Sequence, residues 1–388
     1  MNNWQAKKLG DITVINGGGT PPTSHAEYFN GDVPWFTPSE ITSGTVSVLT
    51  NSQRQITEEA TKFSKVAEQG TVLLSSRATI GNIGIVANRS TYNQGIKGIT
   101  PKEDLNSWFL AYWLLANKKG LEKSSFGTTF KELSTTALKK FDITIPPISV
   151  QQKIVERLDS IRKLQELNQK EIEKAEELFD SLLSVKFYPN KAYKRLNFED
   201  VVTFKRGPFG GSLKKEIFVS DGFRVYEQRN AIYDDFTNCR YFITEEKYKE
   251  MIGFAVKTGD LIVSCSGTIG KVALVPNKVS PGIINQALLK ITPKIDIVLS
   301  EYLKYLIQSR DMQIKMFGNA RGSSIKNIVS IKEIKKLVLS LPSIKEQQQI
   351  VKELDFVANI HETKILLKKS ISQIYENSLI KAMKGEMV

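Results

Sequence analysis

Apolar residues between positions 150 and 185 recur at alternating intervals of four and three residues. Seven of the nine side chains in this series are apolar, and the series consists of Ile154, Leu158, Ile161, Gln165, Asn168, Ile172, Ala175, Phe179 and Leu182. Because this alternation places side chains along one stripe of an α-helix, it predicts a long helix with a coiled-coil seam. Pro146, Pro147 and Pro189 flank the series, as prolines do at helix ends.

A second helix with the same pattern is predicted at the end of the chain. Its seam contains Ile350, Leu354, Val357, Ile371, Tyr375 and Leu379. A helix of about 35 residues is roughly 50 Å long, so an unpaired stripe would leave much apolar surface in water. The simplest solution pairs the helices antiparallel, through Ile154, Leu158, Ile161, Ile172 and Phe179 of the first and Ile350, Leu354, Val357, Ile371 and Tyr375 of the second. In the alternative, each helix packs separately on its own domain.

The helices are part of an internal repeat that covers the whole chain. Residues 151–159 (QQKIVERLD) recur as 347–355 (QQQIVKELD), at an offset of 196 residues. Further landmarks follow in the same order in both halves: apolar runs at 72–75 and 261–264, Thr-Ile-Gly at 79–81 and 268–270, Asn-Gln at 93–94 and 285–286, and aromatic helical segments at 108–115 and 302–307. Such collinearity indicates a duplication. We predict domains at 1–146 and 188–342, followed by helices at 147–187 and 343–388.

Composition limits the classes of function. The chain has 388 residues, of which 41% are hydrophobic, and contains two cysteines and two histidines. That is too little for a disulfide framework or a cysteine-rich zinc site, and it fits a reducing cytoplasm; we expect Cys239 and Cys265 to be apolar packing residues. The sequence contains no apolar run of about 18–20 residues and no signal-peptide pattern at its start, so we expect no membrane association.

The positive charge is concentrated in the predicted domains. The formal net charge is +13, with +10 in residues 187–346 and values near neutrality in both helices. A membrane-binding amphipathic helix would show the opposite distribution. The pattern therefore favours domains that contact nucleic-acid phosphates; the alternative is a soluble protein that is simply rich in lysine.

Two glycine-containing segments resemble phosphate-binding loops but lack the required residues. In the segment 267–271 (GTIGK), Cys265 stands where the loop needs glycine and Val272 where it needs serine or threonine. We interpret the Thr-Ile-Gly segments of both halves as tight turns between strands. The glycines at 17–19 do not open a strand–helix unit, so they do not form a dinucleotide fingerprint. We predict neither catalytic residues nor metal ligands in this chain.

Three motifs carry a family resemblance. They are Pro-Pro-Ile-x-x-Gln-Gln-x-Ile-Val at 146–155 with its echo at 342–351, the segment GGGTPP at 17–22 followed by EYF at 27–29 and VPWFT at 33–37, and GPFGGSL at 207–213. With these motifs the chain resembles the DNA-specificity (S) subunit of Type I restriction–modification systems over nearly its whole length. One departure is Ser149-Val150, where a more acidic pattern is usual; Lys345-Glu346 retains it.

The resemblance implies both a fold and partners. The fold class would be α+β, with two pseudo-repeated target recognition domains, each a twisted, partly curled sheet with flanking helices, separated by two long antiparallel coiled-coil helices. Each domain would read one half of a bipartite, asymmetric site on double-stranded DNA, and the helices would set the half-site spacing. Two methyltransferase subunits would dock on this scaffold and nuclease–translocase subunits would join them. S-adenosylmethionine, ATP and Mg²⁺ would belong to those partners, with no cofactor in this chain.

Candidate DNA-contacting residues are polar side chains in loops that recur in both halves. In the first half they are Thr37, Ser39, Arg77, Thr79, Asn82, Gln94, Thr128, Thr129 and Lys131. In the second half they are Gln228, Arg229, Asn230, Ser266, Thr268, Lys271, Gln286, Arg321, Ser323, Ser324 and Lys326. Arginine and lysine suit guanine edges or phosphates, and asparagine and glutamine suit adenine. For each residue the alternative is a capped turn or a solvated surface position, and Asn93 and Asn285 are expected to hold turns.

Two other functions remain open at this point. The same architecture could serve a related system with a fused nuclease–methyltransferase partner. The chain could also be a DNA-modifying enzyme in its own right, although the sequence offers no credible cofactor or metal motif for one.

Overall fold

The computed structural model describes residues 4–77, 79–125, 132–188, 192–318 and 330–386. The chain divides into unit 1, Met1–Lys170 with Leu366–Val388, and unit 2, Glu171–Ile365. The candidate residues Thr128, Thr129, Lys131, Arg321, Ser323, Ser324 and Lys326 lie outside the described residues.

The first half of the chain contains the strands and helices of unit 1 up to the first long helix. The strands are β1 Gln5–Lys8, β2 Thr13–Gly17, β3 Val33–Phe36, β4 Val46–Leu49, β5 Gln55–Ile56, β6 Lys65–Ala67, β7 Val72–Ser75, β8 Ile83–Val86, β9 Ser90–Tyr92, β10 Ile96–Pro101 and β11 Asp142–Ile145. The helices are α1 Leu9–Ile12, α2 Ser107–Ala116, α3 Lys118–Lys123, α4 Thr135–Lys139 and the long α5 Ile148–Lys186.

The second half repeats this plan with some differences. Its strands are β12 Lys194–Asn197, β13 Val202–Arg206, β14 Phe223–Tyr226, β15 Phe242–Ile243, β16 Leu261–Ser264, β17 Val272–Leu274, β18 Gly282–Ile284, β19 Leu288–Pro293 and β20 Val338–Leu341. Its helices are α6 Phe198–Val201, α7 Gln228–Tyr233, α8 Glu245–Glu250, α9 Ser300–Gln308, α10 Arg310–Phe317, α11 Ile331–Lys335 and the long α12 Ile344–Met383.

The sheets of the two units share a common order. In unit 1 the main sheet runs β2-β10-β7-β8-β4, and a second sheet runs β5-β3-β9-β6. In unit 2 the corresponding sheets run β13-β19-β16-β17 and β15-β14-β18. The central strands β7 and β16 are buried along their whole length, as expected for continuous apolar runs covered on both faces. A small two-stranded sheet in each unit, β1-β11 or β12-β20, leads the chain into its long helix.

A short apolar helix covers the main sheet of unit 1. Helix α2 buries every residue from Phe109 to Leu115, and its end is capped by Asn106, whose side-chain oxygen accepts from the backbone of Trp108 and Phe109 at 2.9 and 3.1 Å. Asparagine is a favoured N-cap because it satisfies amide groups that lack a partner within the helix. The cap therefore fixes where this helix starts above the sheet.

The long helices pack against each other within unit 1. Ile154 and Leu158 of α5, 2% and 0% exposed, share a core cluster with Tyr375 and Leu379 of α12. Further along, Lys368 donates to the side chain of Gln169. Contact residues with higher sequence numbers on α5 thus face residues with lower sequence numbers on α12, so the helices are antiparallel.

Unit 2 shows the same arrangement over the other halves of these helices. Leu183 packs in one cluster with Ile350 and Leu354, while His361 contacts Glu176 at 3.0 Å and Lys186 contacts Glu353 at 2.6 Å. The predicted fold class, an α+β protein with two repeated domains and two long antiparallel helices, is confirmed.

The other predicted seam residues lie at the positions that the pattern assigns. Ile172, Val357 and Ile371 are buried, while Ile161 and Phe179 are partly buried against the cores of their own units. Leu158 also shares its cluster with Phe109 of the domain. Each helix therefore packs on its domain as well as on the other helix, so the two interpretations of the seam are not exclusive. Within the described residues, no helix is long and apolar enough to span a membrane.

Candidate nucleic-acid interface

Four strands of unit 1 end side by side. Backbone hydrogen bonds tie the segments that follow them: Gly19 N to Tyr92 O at 3.0 Å, Asn93 N to Phe36 O at 2.9 Å, and Ser76 N to Gly95 O at 2.8 Å. The loops after β2, β3, β7 and β9 therefore gather at one edge. We call the segments 18–22, 37–39, 76–77, 79–82 and 93–95 the strand-end face of unit 1.

Unit 2 builds an equivalent face by the same means. Its ties are Gly207 N to Leu288 O at 2.9 Å, Asn285 N to Tyr226 O at 2.9 Å, and Cys265 N to Ala287 O at 2.8 Å. The strand-end face of unit 2 comprises the segments 207–212, 227–230, 265–271 and 285–287, which follow β13, β14, β16 and β18.

The structure brings the described candidates together on these two faces. In unit 1, Ser39, Arg77, Thr79 and Gln94 are exposed there and Thr37 is partly exposed. In unit 2, Ser266, Thr268, Lys271 and Gln286 are exposed and Gln228 and Arg229 are partly exposed. Residues from loops far apart in sequence thus share one surface in each unit, as a binding site requires. Their individual DNA contacts stay predictions.

Two candidates need correction, because their side chains are buried and used within the protein. The Asn82 amide is 6% exposed; it donates to Ile41 O at 3.0 Å and accepts from Lys118 at 3.3 Å. Asn230 is 1% exposed; it donates to the carbonyls of Asp235 and Asn238 and accepts from the backbone N–H of Glu227. Breaking such bonds would leave buried polar groups unpaired, so we remove both residues from the set of DNA contacts.

The hydroxyl of Thr37 has a local structural role. It hydrogen-bonds to a carboxylate oxygen of Glu40 at 2.7 Å, and the backbone N–H of Thr37 donates to the same oxygen at 2.8 Å. This is a capping box at the start of a short 3₁₀ turn. For Thr37 the capped-turn interpretation therefore describes the observed geometry.

The two Thr-Ile-Gly segments are tight turns, as predicted. In each turn a serine hydroxyl at the end of the preceding strand accepts from a backbone N–H seven residues later, at 2.9 Å for Ser75 and 3.0 Å for Ser264. Gly81 and Gly270 have φ of +88° and +84°, a region that only glycine enters without strain. These turns connect antiparallel strands and leave no helix N-terminus for a phosphate.

The prediction that Asn93 and Asn285 hold turns is also confirmed. The side-chain oxygen of Asn93 accepts from Gly95 N at 2.9 Å, and that of Asn285 accepts from Ala287 N at 3.0 Å. This asparagine turn leaves the neighbouring glutamine, Gln94 or Gln286, exposed on each strand-end face.

A charged cluster orients the arginine of the first face. Arg77 contacts Glu132 at 2.9 Å, and the nearly buried Lys97 contacts the other oxygen of Glu132 at 3.4 Å. The hydrogen bond from Arg77 lowers the pKa of the Glu132 carboxyl. The carboxylate therefore stays charged at neutral pH and holds the guanidinium of Arg77 at the edge of the face.

Unit 2 carries a cationic side chain at the equivalent pair of strands, but on the other strand of the pair. In unit 1 the cation is Lys97 of β10, which lies opposite Gly17 of β2. In unit 2, where β13 corresponds to β2 and β19 to β10, the cation is Arg206 of β13, which lies opposite Leu289 of β19. Arg206 is partly buried, and within the part of the chain that the structure describes, its Nη1 atom has no hydrogen-bond partner. The sequence analysis did not select Arg206, because its candidates are polar residues that recur in both halves and the first half has Gly17 at the equivalent position.

Both cysteines are at least partly buried. Cys265 is 5% exposed, and burial raises the pKa of its thiol to about 11, with Arg206 opposing the shift. Cys239 is partly buried, and burial also raises its pKa. Among the described residues, no group of three or more His, Cys, Asp or Glu side chains could hold a metal ion.

Comparison with known proteins places this architecture in a family. The profile of the Type I restriction modification DNA specificity domain matches residues 1–177 and again 197–369. The MjaIX specificity subunit of Methanocaldococcus jannaschii is 36% identical over 201 residues, which cover 50% of this chain and 46% of that protein. The putative specificity subunit S.HindORF215P of Haemophilus influenzae is 25% identical over 377 residues, covering 90% and 86%. The chain thus spans less than half the length of the first of these relatives.

Solved structures agree on the fold. The S subunit of a Type I restriction–modification system from M. genitalium superposes with a TM-score of 0.58 at 14% identity, covering 98% of this chain and 96% of that one. A chain from a structure of Type I restriction–modification complex assembly gives a TM-score of 0.66 at 16% identity, covering 99% and 98%. With two copies of the specificity domain and this shared fold, the chain belongs to the specificity-subunit family of Type I restriction–modification systems.

Proposed function

We propose that each unit reads one half of a bipartite, asymmetric DNA site through its strand-end face. The observation that supports this most directly is the gathering of exposed polar and cationic side chains at the same edge of both units. Loops held by a rigid sheet are a common place for recognition residues. Such residues can hydrogen-bond to base edges in the major groove, while basic side chains around them contact phosphates.

Differences between the two faces favour different half-sites. The first face carries Arg77 held by a carboxylate, while the second carries Lys271 and the recessed Arg206. Both faces retain an exposed glutamine, Gln94 or Gln286, a residue type suited to adenine. The two units therefore share a framework but present different donors, which is the arrangement expected for a site that is not palindromic.

The long helices are proposed to set the spacing of the half-sites and to dock methyltransferase subunits. Two readers on one face of a duplex require half-sites about one helical turn apart, some 34–36 Å. Both helices also carry large apolar side chains that remain exposed, including Leu167 at 59% and Val185 at 68% on α5 and Phe356 at 67% on α12. Exposed apolar side chains mark a protein interface where they form a continuous patch, and the proposal places the docking surfaces along these helices.

In this proposal the chain recognises DNA and does no chemistry. Methyl transfer, DNA cleavage and ATP-driven translocation, with S-adenosylmethionine, ATP and Mg²⁺, belong to two methyltransferase subunits and to nuclease–translocase subunits. The complex would act in the cytoplasm, where the DNA is.

Methylation mapping tests this function in cells. Methylated adenines are mapped across the genome with and without the gene. We expect one bipartite motif with two unlike halves to lose its methylation when the gene is deleted. A motif with a single continuous or palindromic core would contradict the assignment of one half-site to each unit.

A reconstitution tests the division of labour. The purified chain should bind duplex DNA with a steep salt dependence and transfer no methyl group until its methyltransferase partner is added. Methyl transfer by the chain alone would refute the non-catalytic role. A shift in thermal stability with S-adenosylmethionine would contradict the assignment of this cofactor to the partner subunits, since a ligand stabilises the state that binds it.

A further inference from the structure

The fourth residue of each long helix is a buried glutamine that is bonded to the preceding domain. Gln151 is 0% exposed. Its Nε2 group donates to the carbonyls of Asp104 at 2.8 Å and Pro146 at 2.9 Å, and its Oε1 atom accepts from Asn106 N at 2.9 Å. Both N–H groups of this amide and its oxygen are therefore used inside the protein.

The second helix repeats this arrangement. Gln347 is also 0% exposed, donates to the carbonyls of Ile297 and Pro342 at 3.0 Å each, and accepts from Leu299 N at 2.9 Å. Every partner is a backbone group, so the geometry persists although Asp104 and Ile297 have unrelated side chains. We call each set of three hydrogen bonds an amide clamp.

Each clamp joins three parts of its unit. In unit 1 the clamped segment 104–106 connects β10 of the main sheet to α2, and Asn106 caps α2 with its side chain while its backbone N–H donates to the clamp. In unit 2 the segment 297–299 connects β19 to α9 in the same way. The first turn of each long helix is thereby tied to the central sheet and to the helix that covers it.

We propose that Gln151 and Gln347 are positioning residues that fix the angle at which each recognition domain sits on its long helix. This inference rests on the proposed function, in which the helices set the half-site spacing. Base pairs follow each other at about 3.4 Å, so even a small rotation at the helix start would move a strand-end face out of register with its half-site. Loss of a clamp should therefore relax spacing selectivity rather than abolish DNA binding.

The chain provides matched controls one residue away. Gln152 and Gln348 are exposed neighbours of the clamp residues in the same helical turns. Gln151→Leu and Gln347→Leu remove the clamps, whereas Gln152→Leu and Gln348→Leu make the same chemical change on the surface. Gln151→Asn keeps the amide but shortens it by one methylene, and it serves as the second variant if Gln151→Leu does not fold.

The experiment measures binding of the chain to duplexes that carry the mapped bipartite site with its native spacer, or with a spacer one base pair shorter or longer. We expect the wild type and both control variants to bind the native spacer more tightly than the altered ones. In the clamp variants the ratio of affinities for native and altered spacers should fall about tenfold. The salt dependence of binding should stay unchanged, because no phosphate contact is removed.

An unchanged spacer preference in a folded clamp variant would overturn the inference, whether the affinity itself stays the same or falls equally on all three spacers. An equal fall would indicate that the clamp stabilises the fold without orienting the domain. A wild-type chain without spacer preference would instead refute the proposed function itself. The two failures are therefore distinguishable.

Discussion

The most direct test of the core that joins helix and domain is Leu158→Ala. Leu158 is 0% exposed and lies in a cluster that includes Phe109 of the domain and Tyr375 and Leu379 of the other long helix. Removing a buried leucine side chain costs its transfer free energy plus the cavity left behind, typically about 2–5 kcal/mol. Because this cluster is contributed by several elements, we expect little collapse and a cost in the upper part of that range.

A control on the same helix separates packing from helix propensity. Leu164 is 49% exposed, so Leu164→Ala should change the free energy of unfolding by less than about 1 kcal/mol. Both variants replace leucine with alanine in the helix interior, so their intrinsic helix propensities change equally. The difference between them is therefore the packing contribution.

Urea denaturation followed by circular dichroism measures the difference, and amide hydrogen exchange assigns it to unit 1. Leu158→Ala should lower the midpoint and increase exchange in α2, which packs in the same cluster. A cost for Leu158→Ala no larger than that for Leu164→Ala would refute the packing argument. Increased exchange confined to unit 2 would contradict the assignment of Leu158 to the core of unit 1.

Three further predictions concern the strand-end faces. Gly270→Ala should lower the free energy of unfolding by about 1–3 kcal/mol, because Gly270 has φ of +84° and an added Cβ would lie 2.5 Å from Gln313 Oε1. A thermal melt should show a lower midpoint, and an unchanged midpoint would contradict this. Arg77→Ala should reduce the slope of log binding constant against log salt concentration by about one unit if Arg77 contacts a phosphate, or relax specificity at one base pair if Arg77 reads a base. If binding assays at several salt concentrations and on single-base variants of the site show neither change, Arg77 does not contact DNA. The hydrogen bond from Arg77 lowers the pKa of Glu132. The pair therefore stabilises the fold at pH values above the ordinary carboxyl pKa, and this stabilisation is lost as the pH falls through the lowered pKa. An NMR titration in which Arg77→Ala leaves the pKa of Glu132 unchanged would contradict this.

Local patterns were enough to predict much of the architecture. The 4-3 spacing around Leu158 predicts the long helices because helical periodicity shows in nearby residues of the sequence. The Thr-Ile-Gly segments are interpreted as turns between strands because they lack the residues that a phosphate-binding loop requires. The repeat identified which loops correspond, and those loops meet at one edge in both units.

Other features depend on pairings between distant segments and could not be predicted. Asn82 is a polar loop residue like the other candidates, but its buried amide donates to the carbonyl of Ile41, 41 positions away in the sequence. Asn230 is instead bonded within its own loop, to Glu227, Asp235 and Asn238, and the packing of that loop buries it. Arg206 occupies the place of Lys97 from the opposite strand, because the register of β13 on β19 decides which side chain faces the site. Neither register nor burial is encoded in the few residues around such a position.

The paired glutamines separate what local sequence can predict from what folding adds. Helix signals act over a few consecutive residues, so the residues alone indicate that Gln151-Gln152 and Gln347-Gln348 lie near the starts of two equivalent helices. Which glutamine of each pair is buried depends on the folded protein, where Gln151 and Gln347 are buried while their neighbours are exposed. Adjacent residues on a helix point in directions about 100° apart, so the packing of the helix on its domain selects which amide is bonded inside.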